Sequence, residues 1–312
     1  MPQRIVSLLS SATEMLYGLG LGERVVAVSH ECDWPADAAT KPRATFSRIN
    51  STLSSGQIDE EVRRMLAAGE ALYGVDENLL AELRPGLIVT QAQCDVCAVR
   101  YADVLDVVER TPALAGARVV ALNPMSLDDV LADIRRVAEA AGVDDGGAAF
   151  VGRLSGRVGA VRERTGRLVE RDRPRTALVE WTEPLMLAGN WMPELLELAG
   201  GTCPLATAGQ HSGYVDWSRI VEFDPQAIVV APCGFDLERS LLEARTLPAL
   251  PQWSRLSAVR SGRVYVVDGN AYFNRSGPRL VDSLEMLAHL LHPRLVARPA
   301  WLVGEAPPWQ AL

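Results

Sequence analysis

The sequence contains few lysines, few aromatic residues and few cysteines. Lys41 is the single lysine, so the other basic residues are all arginine, a bias typical of Arg- and Ala-rich coding rather than of function. Aromatic residues make up only 6% of the 312 residues. Five cysteines are too few, and odd in number, for a secreted disulfide scaffold, and we therefore expect reduced thiols.

An excess of positive charge and long apolar runs are also missing. With 31 Lys and Arg against 39 Asp and Glu, the net charge is −8, which argues against a nucleic-acid-binding surface. No apolar run approaches the ~20 residues that span a bilayer, so we expect no membrane insertion. The 48% hydrophobic and 22% charged residues are typical of a globular protein, and a length of 312 residues favours two domains.

The N-terminus as written leaves no room for an export signal. An apolar segment at 5–9 follows the first four residues directly, whereas a signal peptide needs an apolar stretch and a cleavage site before the first strand. We therefore expect a cytoplasmic protein, or an extracytoplasmic one if a leader precedes this sequence.

Short apolar runs alternate with helical patterns in both halves of the chain. This alternation predicts an α/β fold of two Rossmann-like lobes with mainly parallel sheets. Between the halves, apolar residues at helical spacing and eight arginines from Arg153 to Arg175 indicate one long helix. Pro174 ends it, because proline disfavours a helical residue before it. The predicted domains are an N-terminal lobe at 1–145, a connecting helix at 146–173 and a C-terminal lobe at 174–312.

The same patterns place the individual elements. Strands are predicted at 5–9, 25–29, 87–90, 119–122, 176–181, 227–231 and 264–267. Helices are predicted at 12–19, 58–68, 77–83, 99–108, 127–141, 193–199, 217–223, 237–245 and 278–291. An irregular tail is expected after Pro299. The segments 80–89 and 220–229 share one pattern, in which a helix ends, a proline follows and an apolar strand begins, and this repetition indicates two related lobes.

Polar and aromatic residues gather where the predicted strands end, which is where open α/β sheets bind ligands. Ser10 and Ser11 follow the first strand, and Ser11 with Glu14 also fits a capping box at a helix N-terminus. After the second strand come His30, which can ligate a metal, and Trp34, which can form a flat apolar wall. A plain turn in which Trp34 packs on the protein is the alternative.

Gln91, a candidate ligand-binding residue, follows the strand predicted at 87–90, and a Cys-x-x-Cys motif lies just beyond it. Cys94 and Cys97 can ligate a metal, form a redox pair or simply pack in their loop. Together with His30 and Cys32 they supply four metal ligands if the fold brings the two loops together.

The C-terminal half offers a matching set of candidate ligand-binding residues. Two arginines and an amide lie where the last helix opens, and backbone N–H groups and guanidiniums can bind anions there. Aromatic residues near strand ends form a partly aromatic cleft or else pack in the core, and one histidine lies in a glycine-rich loop. These candidates are Trp181, Trp191, His211, Phe235, Asn274, Arg275 and Arg279.

Catalytic motifs are missing. The sequence has no Gly-x-Ser-x-Gly elbow, no Walker loop, no Gly-x-Gly-x-x-Gly fingerprint and no His-Glu-x-x-His pair. We therefore expect a non-catalytic protein that requires no cofactor.

Four segments resemble class III periplasmic substrate-binding proteins, the family that binds cobalamin, haem and ferric siderophores for ABC importers. The similarity is greatest to the cobalamin-binding branch, extends over roughly 4–292 and is most specific in the opening strand and helix. The segments are RIVSLLSSATE at 4–14, PGLIV at 85–89, AGNWMPE at 188–194 and DPQAIV at 224–229. The resemblance implies two lobes joined by one long helix, a ligand cleft between them, and a carrier that works with an ABC importer permease.

The leading hypothesis is a binding protein for a large, planar, metal-containing ligand, most consistent with a corrinoid. Trp34, Trp181 and Trp191 would pack against the macrocycle, and His30 or His211 would supply an axial nitrogen. The two arginines before the last helix would meet carboxamides or a phosphate of the ligand.

Two other hypotheses stay open at this point. The first keeps the fold and makes the ligand a haem or a ferric siderophore. The second, from a different class, is a cytosolic metal- or thiol-dependent enzyme that uses His30, Cys32, Cys94 and Cys97.

Overall fold

The chain folds into two units, called here the N-terminal unit and the C-terminal unit. The structure is a computed structural model and describes residues 3–94 and 96–312. The N-terminal unit contains the residues up to Leu53, Gln57–Pro124 and Asp128–Arg153. The C-terminal unit contains Ser54–Gly56, Met125–Leu127 and Leu154–Leu312.

A parallel sheet forms the centre of the N-terminal unit. The strands of this unit are β1 (Ile5–Ser7), β2 (Val25–Val28), β3 (Thr45–Ser47), β4 (Tyr73–Val75), β5 (Leu87–Gln91) and β6 (Arg118–Leu122). The sheet has the order β2-β1-β5-β6 with every neighbouring pair parallel, whereas β3 and β4 pair antiparallel with each other. All residues of β5 are buried, as expected for a strand covered on both faces.

Helices alternate with these strands. They are α1 (Ser10–Gly18), α2 (Ala36–Ala39), α3 (Ser55–Ala67), α4 (Glu77–Leu83), α5 (Tyr101–Arg110), α6 (Leu127–Ala141) and α7 (Asp144–Thr165). α7 is the long helix predicted between the lobes, but it ends at Thr165 and not at 173. Gly166 follows it, a residue type that often ends helices, and the chain continues through a 3₁₀ turn at Glu170–Asp172.

The sheet of the C-terminal unit is mixed. Its strands are β7 (Thr176–Thr182), β8 (Leu185–Leu187), β9 (Gly213–Tyr214), β10 (Ala227–Val230), β11 (Val264–Val267) and β12 (Trp309–Ala311), in the order β12-β11-β10-β7-β8-β9. The central strands β7, β10 and β11 are parallel, and the outer strands pair antiparallel. The α/β class with two Rossmann-like units is confirmed, with the addition that this second sheet is not uniformly parallel.

The tail predicted to be irregular after Pro299 is irregular only in part. Its last residues form β12, which pairs antiparallel with β11 from Val267 opposite Trp309 to Tyr265 opposite Ala311. This pairing satisfies the backbone groups along a side of β11 that would otherwise be an open sheet edge.

The remaining helices cover the mixed sheet. They are α8 (Met192–Leu198), α9 (Trp217–Phe223), α10 (Leu237–Ala244), α11 (Ser257–Arg260) and α12 (Leu280–Leu291), with a π-helical turn at Gly269–Phe273. Of the helices in the described part of the chain, none has the length and apolar character needed to cross a membrane.

The sequence similarity between 80–89 and 220–229 corresponds to a repeated structure. α4 and α9 both end in a left-handed residue, Arg84 (φ 46°) and Asp224 (φ 45°), whose N–H bonds to Leu80 and Ile220 respectively. A proline follows in each case, and the chain then enters the buried strand β5 or β10. The predicted relation between the two halves is confirmed at this turn.

Candidate functional site

Side chains at the carboxyl ends of the parallel strands form a candidate site in each unit. Parallel strands end at the same edge of a sheet, and open α/β sheets bind ligands at that edge. In the N-terminal unit these residues follow β1, β2 and β5. In the C-terminal unit they follow β7, β10 and β11.

Ser10 and Ser11 lie directly after β1, where the sequence placed them, and both are buried. The capping box expected at Ser11 is wrong, because the N-cap residue is Leu9 and it makes no side-chain cap. Leu9 has an extended backbone (φ −147°, ψ 132°), so the helix begins earlier than the Ser11–Glu14 spacing requires.

His30, directly after β2, is held in one orientation by Thr45. The backbone N–H of His30 donates to Thr45 Oγ1 at 3.0 Å, and its Nδ1 lies 2.7 Å from the same oxygen. Thr45 uses its own proton to donate to Ser29 Oγ at 3.1 Å, so Thr45 Oγ1 can only accept from His30. The network therefore assigns the ring proton to Nδ1.

Nε2 is the ring nitrogen that Thr45 does not contact. That atom is buried and has no hydrogen-bond partner among the described residues. It lies 3.2 Å from Oε1 of Glu31, without hydrogen-bond geometry, and the Glu31 side chain is 48% exposed. Histidines that bind metals commonly donate the other ring N–H to an oxygen, as His30 does here, so Nε2 is suited to act as a metal ligand.

Two aromatic side chains of the N-terminal unit are unusually exposed. Trp34 is 52% exposed and Phe46, on β3, is 47% exposed. The guanidinium of Arg48 lies 5.8 Å from the centroid of the Phe46 ring. Large exposed aromatic surfaces are typical of binding sites rather than of the solvated surface.

Gln91 is buried at the end of β5, and its carboxamide is used within its own loop. Oε1 accepts from the backbone N–H groups of Gln93 and Cys94 at 2.7 and 2.8 Å. Nε2 donates to the carbonyl oxygens of Cys94 at 2.7 Å and Val99 at 3.2 Å. The carboxamide thus holds the Cys-x-x-Cys loop, and in this structure it is not available to a ligand.

Tyr73 on β4 connects the His30 loop with the Cys-x-x-Cys loop. Its ring lies 5.4 Å from the imidazole of His30, and its hydroxyl donates to the carbonyl of Val96 at 2.9 Å. The two loops therefore converge, but with a tyrosine ring between them.

This separation bears on the metal site predicted at His30, Cys32, Cys94 and Cys97. Cys32 is buried with its Sγ 3.1 Å from Thr13 Oγ1. Within residues 3–94 and 96–312, no three His, Cys, Asp or Glu side chains lie close enough together to hold a metal ion. Among the described residues, these four side chains therefore form no common ligand set.

In the C-terminal unit, aromatic and cationic groups stack at the ends of β7 and β10. The indole of Trp181 lies 5.2 Å from the ring of Phe235, and the guanidinium of Arg239 lies 4.8 Å from the same ring. Trp181 Nε1 donates to the carbonyl of Ser55 at 3.2 Å, and Arg239 donates to Glu243 at 2.7 Å. Hydrogen bonds at both ends hold this layer in place.

The loop after β11 carries charges of both signs. Asp268 caps the π-helical turn by accepting from the N–H of Ala271 at 2.7 Å, and burial raises the pKa of its carboxyl group. Arg275 is only 6% exposed and donates to Oδ1 of Asn270 at 2.9 Å. The Arg279 guanidinium lies 5.4 Å from the centroid of the Tyr272 ring. This loop therefore offers both donors and acceptors.

Three candidate residues of the C-terminal half do not lie on the candidate ligand-binding surface. Trp191 is 5% exposed, and its Nε1 donates to the carbonyl of Phe273 at 3.0 Å, so the indole supports the site from within the core. Asn274 Nδ2 donates to the carbonyls of Ala231 and Gly269, both at 3.0 Å, and so ties two strand-end loops together. His211 lies apart, in the lining of a cavity of about 280 Å³ that includes Leu187, Tyr214 and Arg219.

Residues 5–271 match the family described as "Periplasmic binding protein", which is most of the chain. The chain belongs to the periplasmic binding protein family. This membership confirms the resemblance seen in the sequence. It also makes this periplasmic binding protein a non-catalytic solute-binding protein of ABC import, and the enzyme hypothesis based on the cysteines is therefore wrong.

Individual relatives are distant but cover nearly the whole chain. The "Uncharacterized ABC transporter substrate-binding lipoprotein YvrC" of Bacillus subtilis (strain 168) is 25% identical over 300 residues, 94% of this chain and 81% of that protein. The "Vitamin B12-binding protein" of Yersinia pseudotuberculosis serotype O:3 (strain YPIII) is 25% identical over 289 residues, 91% of this chain and 85% of that protein. Among solved structures, the "Periplasmic heme-binding protein BhuT in complex with two hemes" matches with a TM-score of 0.70 and 21% identity, covering 94% and 99% of the two chains.

Sequence reasoning missed several residues of this binding protein that shape the candidate site. Thr45 and Phe46 belong to a three-residue strand, too short for a clear alternating pattern. Tyr73 lies on a strand of the same length, and its role depends on contacts with loops distant in sequence. Arg239 could have been identified from the sequence, because it lies four residues before Glu243 in a predicted helix, a spacing that favours an ion pair.

Proposed function

We propose that this periplasmic binding protein binds a corrinoid, with strand-end residues as the candidate contacts, and delivers it to an ABC importer. The observation that carries the proposal is the geometry of His30. Thr45 holds Nδ1, whereas Nε2 has no hydrogen-bond partner among the described residues and lies 3.2 Å from the Glu31 carboxylate. Such a nitrogen is suited to coordinate the cobalt of a corrinoid once the Glu31 carboxylate moves aside.

The aromatic side chains support a large flat ligand. Trp34 and Phe46 present exposed faces, and in the other unit Trp181 is half-buried against the ring of Phe235, which is itself buried. Covering one fully exposed aromatic side chain contributes about 2–3 kcal/mol before association costs, so such contacts supply only part of the ~8 kcal/mol that micromolar binding requires.

The polar groups favour a ligand that carries amides. Next to Arg275 and Arg279 lies the carboxyl group of Asp268, and Glu31 lies next to His30. Carboxamides both donate and accept hydrogen bonds, so they satisfy arginines and carboxylates together, whereas carboxylates of a ligand would match only the arginines. The name of the vitamin B12-binding relative agrees with this choice.

Titration with three corrinoids tests the proposal. We expect aquacobalamin and diaquacobinamide to bind with micromolar or tighter affinity by calorimetry and to change their visible spectra, because His30 replaces a water on cobalt. Cyanocobalamin, whose upper position is already occupied by cyanide, should bind without that spectral change. If none of the three corrinoids releases heat or changes its spectrum, the proposal is wrong.

Two matched histidine variants locate the ligand nitrogen. His30→Ala should abolish the spectral change and weaken binding of aquacobalamin about tenfold or more, whereas His211→Ala should leave both unchanged. The opposite result would move the site to the cavity lined by His211.

Haem is the second candidate ligand, and one observation favours it. Arg275 is buried and Arg279 lies beside it in the same loop, and such a pair is suited to the two carboxylates of a haem. The haem-binding BhuT shares the fold. Competition between haemin and aquacobalamin for the protein decides between the two ligands.

The partner and the compartment are part of the same proposal. The relatives are named as periplasmic or as a substrate-binding lipoprotein, so we place this protein outside the cytoplasm, next to an importer permease. Fractionation of the cells that produce it, with detection by antibody, tests the compartment directly.

A further inference from the structure

We infer that Arg43 is a positioning residue that holds residues 29–39, called here the β2–α2 segment, in the shape that presents His30 and Trp34 to the ligand. The inference rests on the proposed function, in which these two side chains contact a corrinoid. Arg43 acts through the backbone of the segment and not through a contact with the ligand. Its side chain is half-buried in the N-terminal unit.

Three carbonyl oxygens of the β2–α2 segment accept hydrogen bonds from the Arg43 guanidinium. Nη1 donates to Ser29 at 2.9 Å and to Cys32 at 2.6 Å, and Nη2 donates to Ala39 at 3.1 Å. Each of these nitrogens carries two protons, so the guanidinium makes all three bonds at once. Ser29 and Cys32 flank His30, whereas Cys32 and Ala39 flank Trp34. Arg43 therefore fixes the backbone on both sides of each candidate contact.

The backbone of Arg43 is itself tied to the buried strand β2. Arg43 forms a parallel bridge with Val28, the last residue of that strand. The N–H of Val28 donates to the carbonyl of Pro42 at 2.9 Å, and the N–H of Ala44 donates to the carbonyl of Val28 at 2.8 Å. The guanidinium thus reaches the β2–α2 segment from a backbone position that the sheet holds.

Arg43 and Thr45 hold different parts of the His30 turn. The N–H of Cys32 donates to the carbonyl of Ser29 at 3.1 Å and closes the turn, and Arg43 donates to the same carbonyl, which has two lone pairs. Thr45 instead contacts the N–H and the ring of His30. Thr45 therefore orients the imidazole, and Arg43 holds the turn that carries it.

These hydrogen bonds matter for affinity because they fix the β2–α2 segment before a ligand arrives. A segment that is already ordered loses little conformational freedom on binding. Hydrogen bonds from a charged donor are stronger than those between neutral groups, and Arg43 makes three of them. Lysine would serve fewer of the carbonyls, because its ammonium is a point charge and not a planar fork.

Two corrinoids separate the effect on His30 from the effect on Trp34. Arg43→Met keeps an apolar stem and removes the donors. It should weaken aquacobalamin, which needs both side chains, about tenfold and cyanocobalamin, which needs only Trp34, about threefold. Arg43→Lys should fall between wild type and Arg43→Met for both corrinoids. Equal factors for the two corrinoids in Arg43→Met, as expected of general structural damage, would overturn the inference.

Arg24→Met is the matched control. Arg24 also donates to backbone carbonyls of the N-terminal unit, those of Gln3 and Ala141, but it lies just before β2, at the end opposite to His30. Arg24→Met should therefore leave the affinities for both corrinoids unchanged. A loss in Arg24→Met as large as that in Arg43→Met would also contradict a specific role of Arg43.

A double-mutant cycle with His30→Ala tests whether Arg43 acts through His30. In the His30→Ala protein, Arg43→Met should weaken aquacobalamin only about threefold, since the part of the effect that passes through the imidazole is already lost. The visible spectrum of bound aquacobalamin gives a second readout, because Arg43→Met should reduce the change that His30 causes. A tenfold loss with and without His30 would overturn the inference.

Hydrogen exchange of the ligand-free protein distinguishes failure of this inference from failure of the proposed function. Arg43→Met should speed exchange of the N–H groups of His30 and Cys32 about tenfold, whereas Arg24→Met should not. Unchanged exchange at both N–H groups would overturn the inference whatever the ligand. Faster exchange in Arg43→Met, with no corrinoid bound by the wild-type protein, would support the role of Arg43 in holding the segment and contradict the proposed function.

Discussion

The two units share a backbone plan but place different chemistry on it. In each, a helix ends in a left-handed residue, a proline follows, and a buried central strand begins, as at Arg84 and Asp224. At the strand ends, however, the N-terminal unit carries histidine, cysteines and exposed aromatic rings. The C-terminal unit carries arginines, carboxylates and a stacked aromatic layer. The plan thus sets where side chains gather, and the local sequence sets what they can bind.

The units also differ in whether antiparallel strands flank the parallel strands of their main sheets. The N-terminal sheet contains only parallel pairs, whereas antiparallel strands flank the parallel core of the C-terminal sheet. One of these strands, β8, follows β7 directly and extends the sheet beside Trp181, which pairs with Met186. The C-terminal aromatic layer is therefore built into a hairpin, while Trp34 lies in a loop.

The largest expected difference between the units concerns their tryptophans. Trp191→Ala should lower the free energy of unfolding by about 3–5 kcal/mol, because it empties a core position and removes a hydrogen bond. Trp34→Ala, at a 52% exposed side chain, should change stability by less than ~0.5 kcal/mol and instead weaken ligand binding. Urea unfolding of both variants measures this, and equal losses would show that Trp34 is a packing residue.

Two arginines that tie helices together differ in the groups they contact. Arg157 on α7 bonds to Glu285 at 2.9 and 2.7 Å and to Asp282, both on α12. Arg24 in the N-terminal unit donates to the neutral groups of Gln3 and to the carbonyl of Ala141. Replacement of either arginine leaves acceptors unsatisfied, but only Arg157→Met leaves two carboxylates without their cation.

This contrast predicts that the loss of stability depends on pH for Arg157→Met but not for Arg24→Met. Arg157→Met should cost about 2–3 kcal/mol at neutral pH, reduced from the value for a fully buried pair because Arg157 is 35% exposed. Burial raises the pKa of Asp282 while Arg157 opposes that rise, so the carboxyl of the variant protonates at higher pH. Protonation removes the uncompensated charge. The loss in free energy of unfolding relative to wild type should therefore shrink as the pH falls toward about 4.

Arg24→Met is the control for this pH dependence. It should cost about 1 kcal/mol at every pH, since no carboxyl group is involved. Urea unfolding of wild type and both variants at a series of pH values makes the comparison. If the loss of stability varied with pH in the same way for both variants, the ion pairs of Arg157 with Asp282 and Glu285 would not be the cause of the pH dependence.

Local signals explain which parts of the fold were predictable. The bounds of α4 were predicted correctly from its helical pattern and from Pro85 after its end, and the structure adds that Asp76 caps its first turn. The strands β3, β4, β8, β9 and β12 were missed, since each has only two or three residues and is stabilised by pairing with a distant segment. Short strands of this kind carry no periodicity of their own.

The candidate site was predictable in composition but not in geometry. His30 and Trp34 were selected as candidates because several functional residue types follow one apolar strand. Two features of the site depend on the short strands β3 and β4. Thr45 on β3 holds the His30 ring, and Tyr73 on β4 separates His30 from the cysteines. Trp191 is a tryptophan, as expected of a ligand contact, but it is buried in the core. The composition of a single sequence does not distinguish a buried tryptophan from one that faces a ligand.

A third comparison concerns glycines that neighbouring atoms approach closely. A Cβ at Gly269, after β11, would lie 2.7 Å from the carbonyl carbon of Ala231 and closer still to the Pro232 carbonyl oxygen. A Cβ at Gly18, at the end of α1, would meet only the outer ring atoms of Phe150. Backbone cannot move aside as a side chain can, so Gly269→Ala should cost about 1–3 kcal/mol and Gly18→Ala less than ~1 kcal/mol. Thermal unfolding of both variants checks the order, and a larger loss for Gly18→Ala would contradict it.

The smallest expected effect tests the repeated turn itself. Arg84→Gly should raise stability by about 0.5–1 kcal/mol, because glycine adopts a φ of 46° without strain. At the equivalent position, Asp224 also accepts from the N–H and the hydroxyl of Ser257, both at 2.7 Å. Asp224→Gly should therefore lower stability by about 1 kcal/mol despite the same backbone relief.

The opposite signs of these two changes separate the conformation of the turn from the chemistry of its side chain. The hydrogen bond from Ser257 lowers the pKa of Asp224, so its contribution is present at neutral pH and is lost as the pH falls through that lowered pKa. Asp224→Gly should accordingly approach wild-type stability in acid, while the gain from Arg84→Gly persists at every pH. Urea unfolding at pH values from about 7 to about 3 measures both, and a loss for Arg84→Gly would show that the arginine side chain stabilises its turn as Asp224 does.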